Sequence, residues 1–427
     1  MNLRKNIALA LAFAMTTGLL AGCGGSSSDV EEESAKAKVQ EPEYQAKLDL
    51  IDPTAYNNVY GLKLEKGTYL SIIGKRSDDA YWKEIQKGVK QAVADINAEL
   101  GYEGSDKVKA TFNAPATPDD VDQQVNILDE ELSRYPEAVA ISVADIKACE
   151  VQFDLATEND IPVVAYDSGT DYDGVMATVA TDNQAIGKEV ADKMGEAIEK
   201  TGEVLVFSHD SKSQAAIDRT LSFIDEIKAA YPEVSVVETY AMDRLDIYKE
   251  KVAEDINAGI YDLESKTYTG DGVNADEWTA SDASGTVAGD ATGQSATEAE
   301  APKIQASDIT EENVIDYIFA KHPNAKGVYA TNSEVMNLVL SGYDRNEIDT
   351  ENLVTMGFDI NDKVKTALEE GTIDGVILQN PFGMGYAAVI ATARAALDMA
   401  NEAKVNTGYT WVTKDNYQED TIQAVMY

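Results

Sequence analysis

Cysteine and histidine are almost missing from this chain: 427 residues contain two of each. Beyond Cys23 only Cys149 remains, so no internal disulfide can brace the folded part. With His209 and His322 as the only imidazoles, neither a zinc site nor any other metal centre is expected. Positive charge is scarce, 35 Lys and Arg against 76 Asp and Glu, for a net charge of -41. Such a balance leaves no basic patch to neutralise phosphates, which excludes nucleic acid and the bare surface of an anionic membrane as partners. After residue 23 no apolar run is long enough to span a bilayer. The motifs of common enzymes are missing too: there is no GxxxxGK(S/T), no HExxH and no GxSxG, and no cofactor is expected. Gly383-Met384-Gly385-Tyr386-Ala387-Ala388 imitates a dinucleotide fingerprint, but Asn380-Pro381-Phe382 intervene and no ribose-binding acid follows on a short βαβ unit. Those glycines are read as sites of close helix packing. Cys149, sharing an expected helix face (144–159) with Ile146, Phe153 and Ala156, is read as a buried structural thiol.

What is present begins with a targeting segment, residues 1–22. Arg4 and Lys5 open it, Ile7 to Leu20 form its apolar run, and Leu20-Ala21-Gly22-Cys23 close it. The segment resembles a bacterial lipoprotein signal. That resemblance implies a diacylglyceryl group on Cys23, which becomes the new N-terminus, and firm anchoring to the membrane, facing outside the cytoplasm, because more than one acyl chain is involved. Residues 23–43 are rich in Gly, Ser and Glu and read as an acidic flexible linker. Residues 44–66, with Leu48, Ile51, Tyr56, Tyr60 and Leu62, are expected to pack on the surface of the domain that starts at residue 67.

From Thr68 onward, strand-like and helix-like segments alternate, the pattern of parallel sheets covered by helices. The number of strands suits two doubly wound lobes rather than one oversized sheet, so the fold class is α/β with two Rossmann-like lobes. Residues 265–307 break the pattern. They are dominated by Ala, Gly, Ser, Thr and acids and cannot bury enough apolar surface to offset their ordering entropy, so a disordered insertion in the second lobe is expected. Its Asp271, Asn274, Asp276 and Glu277 do not follow the calcium-loop spacing.

The stretch Thr68 to Gly88 carries the first chemistry. A short strand leads into the loop Gly74 to Ala80, and Trp82, Ile85, Val89, Ala92, Val93 and Ile96 then recur at helical spacing. Loops leaving the carboxyl ends of parallel strands face the ligand crevice of an open sheet, which puts Asp78, Asp79, Tyr81 and Trp82 at a binding position. Acids beside aromatics suit a sugar, whose hydroxyls donate and whose C–H face stacks. The same residues also read as a helix N-cap, Asp78 or Asp79, and a core contact, Trp82. Further along, Asp167, Asn332, Asp359 and Gln379 each follow a predicted strand directly. Together with Asp79 they point to one shared crevice.

With DDAYW, IPVVAYDS, TDN, TNSE, GFD and ILQNP in this order, the chain resembles the ribose- and galactose-binding solute receptors of bacterial ABC importers over about 68–427, apart from the insertion. The resemblance implies the type I periplasmic binding protein fold, two lobes joined by a hinge, with residues 67–181 and 380–406 in the first and 182–379 and 407–427 in the second. It implies ligand contacts from Asp79, Tyr81, Trp82, Asp167, Met242, Asn332, Asp359 and Gln379. Ser168 is taken with them, standing where the family has an arginine; Ile217 replaces a second one, and Arg219 matches a structural position. Without those guanidinium forks neither ribose nor galactose can be named, and acidic sugars have nothing to offset their charge. The implied function is a non-enzymatic, monomeric, lipid-anchored receptor that hands a neutral monosaccharide or polyol to an ABC permease. Two alternatives stay open: a receptor presenting a sugar or furanosyl signal to a sensor kinase or chemoreceptor, and a surface glycosidase using Asp79 and Asp359.

Overall fold

The structure, a computed structural model, describes residues 42–270 and 303–427. The expectations for the signal segment, for Cys23, for nearly all of the linker and for residues 271–302 lie outside the described residues. Among the described residues, fourteen strands build two six-stranded sheets and a hairpin. The first sheet is formed by β1 (Tyr69–Ile73), β2 (Lys109–Asn113), β3 (Ala138–Ile141), β4 (Val163–Tyr166) and β5 (Thr178–Ala180). The second takes β6 (Gly202–Ser208) and β7 (Val234–Ala241), and the hairpin is β8 (Tyr261–Asp262) with β9 (Thr267–Tyr268). The second sheet continues with β10 (Ala325–Ala330), β11 (Val354–Phe358) and β12 (Gly375–Gln379); β13 (Lys404–Asn406) returns to the first sheet and β14 (Tyr409–Val412) to the second. The orders are β13-β5-β4-β3-β1-β2 and β14-β12-β11-β10-β6-β7, parallel throughout except for antiparallel β14. The two lobes therefore repeat one winding, and β4 of the first corresponds to β11 of the second.

The local chemistry explains the elements. Helix Ala80–Leu100 starts where the Asp79 side chain accepts the Trp82 N–H at 2.7 Å and stops at Gly101, whose φ of 66° suits a residue without a Cβ. Its apolar stripe, Trp82, Ile85, Val89, Ala92 and Ile96, is buried against the first sheet. Helix Pro381–Ala396 crosses it closely. A Cβ on Gly88 would stand 2.0 Å from the Phe382 carbonyl oxygen, and one on Gly385 would stand 2.1 Å from that of Ile85. The imitation fingerprint is thus a packing seam, as expected.

The chain passes between the lobes near Thr181, Asn380 and Thr407, all buried. These crossings are tied to one another: Thr407 N donates to Ala180 O at 3.1 Å, and Asn380 Nδ2 donates to Thr407 O at 2.9 Å and to Lys47 O at 2.6 Å. Residues 44–66 go deeper than a surface layer. Leu48, Ile51, Tyr56, Leu62 and Leu64 are buried in the first-lobe core, and Asp52 bridges to Asn406 beside the third crossing.

Two sequence expectations need correction. The ends of the expected insertion 265–307 are built into the lobe: residues 267–268 pair in the hairpin, Tyr268 packs edge-on against Tyr317, and Asn257 and Ile304 hydrogen-bond to each other. A single aromatic anchor and an Asn partner organise segments whose average composition looks unable to fold. Cys149 does not lie within a helix: it precedes the helix Glu150–Glu158 with a φ of 70°. It is buried among Leu128, Phe153 and Ile161, and burial pushes its thiol up to about 12, so it is structural and unreactive.

Candidate functional site

A cavity of about 90 Å³ opens between the lobes at the carboxyl ends of the strands. Its lining comes from both sheets: Lys75, Arg76, Asp79, Tyr81, Trp82, Asp119 and Asp167 from the first, and His209, Asn332, Glu334, Asp359 and Gln379 from the second, with Arg219 behind them. Six of the residues named from sequence after β1, β4, β10, β11 and β12 are therefore neighbours, Asp79, Tyr81, Trp82, Asp167, Asn332 and Asp359, and Gln379 makes a seventh.

Asp167 and Asp359 occupy equivalent ends of β4 and β11, and both adopt left-handed backbone, with φ of 58° and 62°. Asp tolerates this conformation better than most residues, and residues held there concentrate at functional sites. Each acid receives a tyrosine hydroxyl. Tyr81 Oη donates to Asp167 Oδ1 at 2.6 Å, and Tyr427 Oη donates to Asp359 Oδ1 at 2.8 Å. Asp167 also accepts from Ser142 Oγ at 2.7 Å, with Lys75 Nζ 3.6 Å away. Asp359 accepts from Gln379 Nε2 at 3.0 and 2.9 Å. Burial raises the Asp359 carboxyl to about 6, against the lowering effect of Arg219 and of the hydrogen bonds from Gln379 and Tyr427. Burial also raises Asp79 and Asp119. Tyr81 is lifted well above its ordinary value by burial and by the charges of Asp167 and Asp359, so it stays a neutral donor.

Asp79 and Trp82 play both roles that the sequence allowed. Asp79 caps its helix and faces the cavity; Trp82 is 4 % exposed, packs on Phe112 and Tyr166, and still reaches the lining. Ser168 and Met242 are not brought to the cavity. Ser168 is fully buried with its Oγ accepting the Ala215 N–H, and Met242 packs half-buried against the second-lobe core. Arg219 is fully used by the fold: it donates to Asn183 Oδ1, Thr331 O and Gln379 Oε1 at 2.8, 2.8 and 3.1 Å and lies over the Phe358 ring. Through Gln379, which also accepts from Thr181 Oγ1 at 2.9 Å, the first crossing is wired to Asp359.

Sequence reasoning missed Lys75, Arg76, Asp119, His209 and Glu334. Lys75 and Arg76 sit in the same loop as Asp79, directly past β1, and could have been found by applying the strand-end rule to every polar residue. Arg76 spans the lobes, donating to Glu334 Oε2 at 2.7 Å, with Asp119 at 3.6 Å and Asp79 at 3.7 Å. Its Nε is buried and makes no hydrogen bond among the described residues, but it lies 3.6 Å from Asp119 Oδ2 and 3.8 Å from Asp78 Oδ1. Cations therefore do line the cleft, contrary to the premise used against acidic sugars. The carboxylates of Asp79, Asp119, Asp167, Glu334 and Asp359 still outnumber Lys75, Arg76 and Arg219, so an anionic guest remains disfavoured. His209 is held neutral, lowered to about 3 chiefly by burial, with its Nδ1 2.7 Å from Thr331 Oγ1. Among the described residues there is no cluster able to hold a metal ion, and no helix is long and apolar enough to cross a membrane.

No curated protein matches the sequence. Solved structures do match its fold. A carbohydrate transporter solute binding protein from Agrobacterium radiobacter in complex with D-arabinose is 23% identical, with a TM-score of 0.60 over 84% of this chain and 99% of its own. Two ABC transporter solute binding proteins from Agrobacterium vitis, one with D-fucose and one with α-D-tagatopyranose, are each 20% identical with a TM-score of 0.61 over 84% of this chain, covering 100% and 99% of their own. The family model described as a periplasmic binding protein domain matches residues 70–399, which hold both sheets except β13 and β14, and the chain belongs to that family of binding proteins.

Proposed function

We propose that the chain captures a neutral monosaccharide or similar polyol between its lobes and delivers it to an ABC importer, while Cys23 carries the lipid that tethers it outside the cytoplasm. The observation that carries this reading is the matched pair Asp167 and Asp359, one per lobe, each already accepting a hydroxyl. Polyol hydroxyls are donors of the same kind, and Tyr81 and Trp82 offer rings for the apolar face of a sugar. Arg76 Nε, not hydrogen-bonded but facing Asp78 and Asp119, is a further donor that a ring or hydroxyl oxygen would take in competition with those carboxylates.

Closure follows from the wiring. A guest held by Asp167 and Asp359 at once favours the closed arrangement over the open one by whatever it gains from touching both. The Arg76–Glu334 ion pair joins the two lobes directly, and the Gln379–Thr181 hydrogen bond ties Asp359's partner to the first crossing, so both contacts lie where a change in lobe arrangement would act. Thermal-shift titration of the soluble part with D-arabinose, D-fucose, D-tagatose and a panel of other monosaccharides tests the reading. A cognate sugar raises the melting temperature progressively above its dissociation constant. A shift by amino acids or nucleosides, with none by any sugar or polyol, refutes it. Cys23→Ser tests the tether separately: it releases the protein from the membrane fraction.

A further inference from the structure

One residue in the cleft is absent from every pattern that led there. The segment after β14 packs on the second lobe through buried Ile422 and Val425, and its backbone is held as far as Met426, whose N–H donates to Ile422 O at 3.2 Å. Tyr427 then directs its phenol between the lobes. Its hydroxyl donates to Asp359 Oδ1 at 2.8 Å, and its ring meets that of Tyr81 edge-on with centroids 6.0 Å apart. It thus joins the aromatic residue of the first lobe to the carboxylate of the second, the two groups that the proposed function assigns to the guest. The cavity lined by its two contacts, Asp359 and Tyr81, is about 90 Å³. Pockets for small molecules usually hold roughly 300–1,000 Å³, so a pyranose does not fit this arrangement unless the lobes part or a side chain withdraws.

We propose that Tyr427 is a tethered competitor for the sugar site, a phenolic hydroxyl standing in for one hydroxyl of the guest until the guest displaces it. The inference rests on the polyol reading above. Displacement exchanges one O–H···O bond at Asp359 for another, so the bond count is preserved and the burial of an unpaired carboxylate is avoided in both states. Rotation of the phenol breaks its hydrogen bond to Asp359 and leaves the backbone bond from Met426 N–H to Ile422 O in place. While docked, Tyr427 lowers the fraction of molecules able to bind, and the apparent affinity falls by that fraction. The consequence is a receptor with a raised threshold that favours guests whose hydroxyl at Asp359 is a better donor than a phenol.

The test compares the wild-type chain with Tyr427→Ala and Tyr427→Phe by calorimetric titration with D-arabinose, D-fucose and D-tagatose, at melting temperatures showing that each variant is folded. Tyr427→Ala is expected to bind about 10- to 100-fold tighter, the range of one hydrogen bond to a charged group, with Tyr427→Phe between it and the wild type. Weaker or unchanged binding by Tyr427→Ala overturns the proposal, because Tyr427 is then a wall of the sugar site or a bystander. In a second arm, 3-fluorotyrosine at position 427 is observed by fluorine NMR without sugar. A signal that moves when Asp359→Asn is introduced shows docking; a solvent-like signal indifferent to that change overturns the proposal even if sugars bind. If the signal is docked and no sugar binds wild type or Tyr427→Ala, the polyol reading fails and takes the competitor assignment with it.

Discussion

Gln379→Glu is the sharpest probe of the cleft. In the wild type, Gln379 Nε2 donates to both oxygens of Asp359, at 3.0 and 2.9 Å, while Oε1 accepts from Arg219 and Thr181. Replacing Nε2 with oxygen would place two carboxylates in contact, and like charges at that distance cannot both stay ionised. Arg219 and Thr181 hold the introduced carboxylate, so the proton goes to Asp359, whose carboxyl is already raised to about 6. A group whose folded pKa is raised binds a proton in the folded state but not in the unfolded one between the two values. Its stabilising contribution is therefore fully present below the ordinary 3.8 and lost as pH rises through the folded value. In the wild type that loss ends just above pH 6. In the variant it continues, so the stability gap should be small at pH 5 and widen from about pH 6 to pH 8, by roughly 1 kcal/mol per pH unit. Urea unfolding at pH 5, 6, 7 and 8 measures the gap from the midpoints. Asp359→Asn added to Gln379→Glu restores a donor facing a carboxylate and should recover most of the loss at pH 8. A gap that is flat between pH 6 and 8, or no recovery in the double variant, refutes the proton assignment.

Three further outcomes are expected. Asp167→Ala takes the acceptor from Tyr81 and Ser142 and removes the carboxylate 3.6 Å from buried Lys75, leaving it only the more distant charges of Asp119 and Asp210. Sugar-induced thermal stabilisation should vanish, and the fold should lose about 3–5 kcal/mol, the usual consequence of stranding one buried charge, read by urea unfolding. Glu238→Ala should cost a similar amount, about 3–5 kcal/mol, because Lys321 Nζ at 2.9 Å and His322 Nε2 at 3.3 Å are buried around Glu238. Burial works to raise that carboxyl, but His322 and Lys321 outweigh it and hold it down to about 2, so the wild-type contribution fades only as pH falls from the ordinary 4.5 towards 2. Gly385→Val forces side-chain atoms against the Ile85 carbonyl and should destabilise the first lobe by about 1–3 kcal/mol or more, lowering the melting temperature without changing the charge of the cleft.

Some of this was readable from the residues alone. The alternation of short apolar runs with amphipathic stretches specified parallel sheets covered by helices, because a strand buried on both faces and a helix buried on one leave different spacings in the sequence. Parallel winding then sends every strand's carboxyl end to one side, so Asp79, Asp167, Asn332, Asp359 and Gln379 could be gathered by a local rule before their distances were known. What the chain order could not contain was the partnership of individual atoms. Whether Gln379 faces the guest or ties Asp359 to Arg219 and Thr181, whether Arg76 lies in solvent or bridges to Glu334, and whether Ser168 turns outward or into the core all depend on side chains brought together from distant positions. Tyr427 is the extreme case, since it follows no strand, belongs to no motif and meets Asp359 across 68 positions. Periodicity is a property of neighbours along the chain and so is written in the sequence, whereas a hydrogen bond between remote residues exists only once the lobes have packed and fixed the direction of each side chain.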